Sequence, residues 1–183
     1  MIEWVAYFLA YFLAGLSLKA GDDLLDDLEK PNLAWIPLTV SGLLFGLLMT
    51  VSEYDLALLV SIIIGVLVSG KVNRLQYSIG FILIFLVIAI LGLPFVNSWL
   101  EWAALVAMMF LAAVLDEKGN DWADHDKSPR AYKFFQFRFT MKVTVVLLVV
   151  LWPSLLPTAV GLWIFDTGYE LMGWFTRRIH NRS

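Results

Sequence analysis

The chain has 183 residues, 60% of them hydrophobic, a formal net charge of −3 and no cysteine. Its mean hydropathy of +0.78 lies far above that of an ordinary water-soluble domain. The missing cysteine excludes disulfides, thiolate metal sites and a cysteine nucleophile, and two histidines, His125 and His180, are too few for a histidine-built metal centre.

Taken in chain order, the apolar runs predict an all-α polytopic membrane protein with seven spans. They cover about residues 2–18, 32–51, 55–71, 76–96, 98–115, 138–152 and 154–175. Most approach the ~20 residues that a helix needs to cross a bilayer, and helices are the default because backbone in hydrocarbon must satisfy its own hydrogen bonds. No alternating pattern of ~10 residues points to a barrel. The first run starts with Glu3 rather than with basic residues, so it reads as a retained span and not as a cleaved signal peptide.

Charge then sets the orientation. With seven spans, all 13 lysines and arginines fall on one side or at its boundary, while the other side carries Glu3, Glu53, Asp55 and Glu101. The positive-inside rule therefore predicts an external N-terminus, with the C-terminus and the loops around 18–31, 70–75 and 116–137 in the cytoplasm. Trp4, Trp99, Trp102 and Trp152 would lie near the outer boundary, and Trp35, Trp122 and Trp174 near the inner one. The basic C-terminal TRRIHNRS reads as a topology anchor, and no nucleic-acid partner is expected.

An acidic phrase occurs twice. Residues 21–31, GDDLLDDLEKP, align without a gap on residues 119–129, GNDWADHDKSP, at an offset of 98. Each copy follows an apolar run. The repetition divides the chain into a first repeat, 1–97, and a second, truncated repeat, 98–183. An even number of spans between the copies makes the repeats parallel, an arrangement in which sites form at the repeat interface.

In helical continuation Asp22 and Asp23 share a face with Asp26, and Asn120 and Asp121 with Asp124. Like charges at these spacings repel, and helix C-termini disfavour anions. A bound cation reverses both penalties, and an all-oxygen donor set suits Mg²⁺. Asp22, Asp23, Asp26, Asn120, Asp121 and Asp124 are thus the candidate metal ligands. Lys71, Arg74, Lys127 and Arg130 lie close in sequence and are candidate contacts for a diphosphate. Asp166, Tyr169 and Glu170 form a candidate polar site inside the last span, where ionisable groups face a bundle interior or an aqueous path. A plainer reading makes Gly21 and Gly119 helix C-caps and the aspartates the start of water-exposed segments.

The segment Asn120-Asp-Trp-Ala-Asp124 resembles the start of the NDxxDxxxD signature of UbiA-type intramembrane prenyltransferases, and Asp22-Asp-Leu-Leu-Asp26 is a variant of it. The family is likewise all-helical, built from two related bundles, with cytoplasmic Asp motifs four spans apart. The resemblance implies Mg²⁺ held by both motifs, a prenyl diphosphate with its tail in the bilayer, and alkylation of an acceptor. The chain differs in having seven spans rather than about nine. The last signature aspartate is absent from both copies, with Ser128 at its place in the second. The leading expectation is a Mg²⁺-dependent membrane enzyme acting on a lipid diphosphate, most simply by prenyl transfer. No catalytic residue is assigned. A cation transporter or channel with a duplicated acidic mouth is the alternative, and a structural or assembly subunit the third reading.

Overall fold

The structure, a computed structural model, describes residues 2–70, 72–125, 134–135 and 138–180. Seven α-helices account for almost all of them, and no strand occurs among the described residues. They are α1 (Ile2–Asp26), α2 (Pro31–Met49), α3 (Glu53–Val68), α4 (Tyr77–Leu91), α5 (Trp99–His125), α6 (Phe139–Leu151) and α7 (Leu156–His180), with a short 3₁₀ turn at Pro153–Leu155 before the last. Three stretches, Glu3–Asp26, Pro31–Met49 and Trp99–Ala123, are long and apolar enough to cross a bilayer, and α4 and α6 are shorter apolar helices.

Helix ends follow local chemistry. Glu29 takes a positive φ of 51°, the Lys30 N–H returns to the Leu24 carbonyl, and Pro31 opens α2 at a position where its missing N–H costs nothing. Ser52 caps α3 by accepting the Asp55 N–H, and the Asp55 carboxylate accepts the Ser52 hydroxyl in return. The acidic phrases do not begin at helix ends. Gly21 lies inside α1 and Gly119 inside α5, so neither is a C-cap. A Cβ on Gly21 would fall 2.6 Å from Leu38, and one on Gly119 would fall 2.5 Å from Phe135. Both glycines serve close packing against the segment that follows their own helix.

The helices form two compact units. One contains residues 1–51, 74–93 and 161–183, and the other residues 52–73 and 94–160. In the first, α1 packs antiparallel to α2, with Leu25, Ala34 and Leu38 as a shared core. α4 runs parallel to α2, as the approaches of Gly42 to Gly80 and of Gly46 to Val87 show. The α7 portion runs parallel to α1, through Gly15 against Phe165 and Gly173 against Lys19. Accordingly Lys19, Lys30, Arg74, Arg177 and Arg178 all gather at one end of this unit, and the α1 start with Glu3 lies at the other.

In the second unit α3 runs parallel to α5. Trp102 donates its indole N–H to the Glu53 carbonyl at one end, the Ser61 hydroxyl reaches the Val106 carbonyl, and Gly65 meets Ala113 further along. α6 runs antiparallel to α5, tied at one end by Trp152 to Glu101 and at the other by Asp116 to the start of α6. The basic residues again gather at one end, alongside Asp116, Glu117 and Asp121. Lys118, Arg138 and Lys142 share one end of the unit, and Glu53, Asp55 and Glu101 the other.

Candidate functional site

α1 does not stop where its hydrophobic run stops. It continues through Lys19, Asp22, Asp23 and Asp26, so the first acidic copy sits on the last two turns of a helix rather than in a loop. That continuation puts Lys19 one turn before the acids, at i+3 from Asp22 and i+4 from Asp23. The Lys19 ammonium is 2.7 Å from Asp23 Oδ1 and 3.4 Å from Asp22 Oδ2. Burial makes the pairing matter: the Asp23 side chain is 2% exposed, against 29% for Asp22. A buried carboxylate needs such a partner.

Two tyrosines complete the cluster. Tyr77, in the first turn of α4, donates its hydroxyl to Asp22 Oδ1, and Tyr169 of α7 donates to Asp22 Oδ2 at 3.2 Å. The Lys19 ammonium also stands 5.3 Å above the Tyr169 ring, a cation–π contact. Three helices of one unit thus bring one lysine, two aspartates and two tyrosines to its basic end. Asp26 is exposed on the final turn, and Arg74 is exposed ahead of α4. Asp166 is buried on α7, one turn before the half-buried Tyr169 and Glu170. Of the predicted intramembrane trio, Tyr169 is the one shown to join the Asp22 cluster.

The second copy is placed differently. It also lies on the last turns of a helix, but of α5, in the other unit. Asp121 is exposed where its counterpart Asp23 is buried, and Asn120 is half-buried. The Asp124 side chain lies outside the described residues, as do Lys71, Lys127 and Arg130.

The residues of the first copy do not fit a metal ion. One oxygen each of Asp22 and Asp23 faces an ammonium, Asp23 Oδ2 is buried without a hydrogen-bond partner, and no group of three His, Cys, Asp or Glu residues suited to a metal occurs among the described residues. Mg²⁺ needs several oxygens in near-octahedral array.

Two residues of the cluster were not among the sequence candidates. Lys19 was readable from its spacing to Asp22 and Asp23, which is that of a helical ion pair. Tyr77 carried no signal, because the tertiary packing of α4 brings it to Asp22. Outside the cluster, in the other unit, Asp116 is 2% exposed and accepts the backbone N–H groups of Thr140 and Met141 at 3.0 and 2.8 Å. It caps the start of α6 from across the α5–α6 contact.

What fold and site define is an all-helical, highly apolar protein with a half-buried lysine–aspartate–tyrosine cluster around the buried Asp23. No family model, no curated protein and no solved structure matches the chain.

Proposed function

We propose that this protein is an integral membrane enzyme acting on a prenyl or other lipid diphosphate, with an external N-terminus and the basic helix ends in the cytoplasm. The observation that carries the reading is the cluster of Lys19, Asp22, Asp23, Tyr77 and Tyr169 at the basic end of its unit. The Lys19 ammonium and the Tyr77 and Tyr169 hydroxyls are donors that suit an anionic headgroup. Lys30, Arg74, Arg177 and Arg178 at the same end suit an anion. The apolar helix faces offer a path for a lipid tail. Mg²⁺ enters as the counter-ion of the diphosphate, and Asn120, Asp121 and Asp124 of the second copy remain candidate ligands within their own unit.

Two measurements test this. A reporter fused after Ser183 should read cytoplasmic, and one inserted between Ser52 and Asp55 should read external; the opposite readings would place the cluster on the wrong face. In purified protein, Mg²⁺ and a short prenyl diphosphate should each raise the other's affinity by the same factor, as linkage requires. Asp121→Asn should weaken both. Mg²⁺ binding that ignores the diphosphate would remove the enzyme reading.

A second reading, a cation transporter, draws on the buried carboxylates of Asp23 and Asp166, on α1 and α7 of one unit. Buried acids in apolar helices line ion paths in many transporters. That reading makes Asp166→Asn abolish ion flux into proteoliposomes and leaves the diphosphate without effect.

A further inference from the structure

The first acidic copy already contains a cation. Lys19, 20% exposed, is held by groups that a metal ion would otherwise use or need to displace. Asp23 Oδ1 and Asp22 Oδ2 face its ammonium, and the Tyr169 ring lies beneath it. Its stem runs over Gly173 of α7, where the position of a Cβ lies 3.1 Å from Lys19 Cε, so any larger residue there would press on the lysine. Asp22 is engaged further by the hydroxyls of Tyr77 and Tyr169. Asp26, the third candidate ligand of the first copy, is exposed on the next turn. A divalent ion entering between Asp22 and Asp23 would meet a fixed like charge.

We propose that Lys19 is the resident cation of the first copy. Asp22 and Asp23 are then positioning residues that hold Lys19 and the two tyrosines in one constellation, and they do not bind Mg²⁺. This assignment does not depend on the lipid-diphosphate reading. It also gives the two acidic copies different roles despite their shared sequence.

The test is Mn²⁺ binding to the full-length protein in detergent, read from the electron paramagnetic resonance signal of the free ion. Asp22→Asn and Asp23→Asn should leave the Mn²⁺ affinity of the protein unchanged. Lys19→Met should create a site, tightening Mn²⁺ binding about tenfold or more, because two carboxylates lose their counter-charge. Lys19→Arg, which keeps the charge, should not. A loss of about tenfold in Asp23→Asn, or no gain in Lys19→Met, overturns the proposal. Wild-type protein that binds no Mn²⁺, with a gain in Lys19→Met, supports the Lys19 assignment while removing metal from the proposed enzyme reading. Should a variant fail to fold, wild-type crystals soaked in Mn²⁺ decide the matter. Anomalous density in contact with Asp22 and Asp23 overturns the proposal, and none there supports it.

Discussion

Gly15→Ala should destabilise the protein by about 3 kcal/mol, the upper end for overpacking a tight interior. An added Cβ would lie 2.0 Å from the Phe165 carbonyl oxygen. The obstacle is backbone, so no rotamer change relieves it. Gly168 shows the reverse contact, with its Cβ position 2.2 Å from the Phe12 carbonyl oxygen. These two glycines let α1 and α7 meet backbone to backbone, as small residues do between apolar helices. The sign is diagnostic, because glycine to alanine inside a helix gains roughly 1 kcal/mol when nothing is in the way. Thermal unfolding followed by tryptophan fluorescence measures the effect, and Gly168→Ala should match it. Gly92 is the control: its φ is 86° and ψ 170° with nothing within 4 Å, so alanine there should cost only backbone strain, about 1–3 kcal/mol. A Gly15→Ala protein as stable as wild type would mean that α1 and α7 do not approach this closely.

Hydropathy located all seven helices, because each apolar run must shield its backbone and the runs are broken by charge, glycine and proline. It failed at the ends of α1 and α5. The runs predicted at 2–18 and 98–115 belong to helices Ile2–Asp26 and Trp99–His125. Hydropathy registers the transfer cost of a side chain, whereas a helix continues for as long as its hydrogen bonds and side-chain partners support it. Asp22 and Asp23 are supported by Lys19, one turn back. The sequence spacing also made Asp22, Asp23 and Asp26 look like one uncompensated cluster. In the fold Asp23 is buried against Lys19, Asp22 holds two tyrosines, and Asp26 faces outward. Tyr77 and Tyr169 stand 55 and 147 residues from Asp22, and no local pattern encodes contacts of that range. Arg74, taken as a phosphate contact, lies exposed near the cluster's end of the unit, where it suits the positive face as well as any ligand.

Asp116→Ala should cost about 3 kcal/mol, by a mechanism unrelated to any ligand. The first N–H groups of a helix have no acceptor within it. Arg138 precedes α6 in a left-handed conformation, φ 50° and ψ 42°, and offers no side-chain cap. Asp116 of α5 supplies two of the missing acceptors, one oxygen to Thr140 and one to Met141, and its negative charge lies at the positive end of the α6 dipole. Alanine would leave two N–H groups short of an acceptor beside a buried Met141, each worth about 1–3 kcal/mol when desolvated. Asp116→Asn keeps one acceptor oxygen and should lose about half as much. Lys118→Ala, on an exposed face of the same helix, should stay within about 0.5 kcal/mol of wild type. Amide hydrogen exchange supplies the local readout: in Asp116→Ala the Thr140 and Met141 amides should exchange faster, while those in the middle of α6 keep their protection. Equal losses in Asp116→Ala and Lys118→Ala, with unchanged exchange at Thr140 and Met141, would show that α6 starts without help from α5.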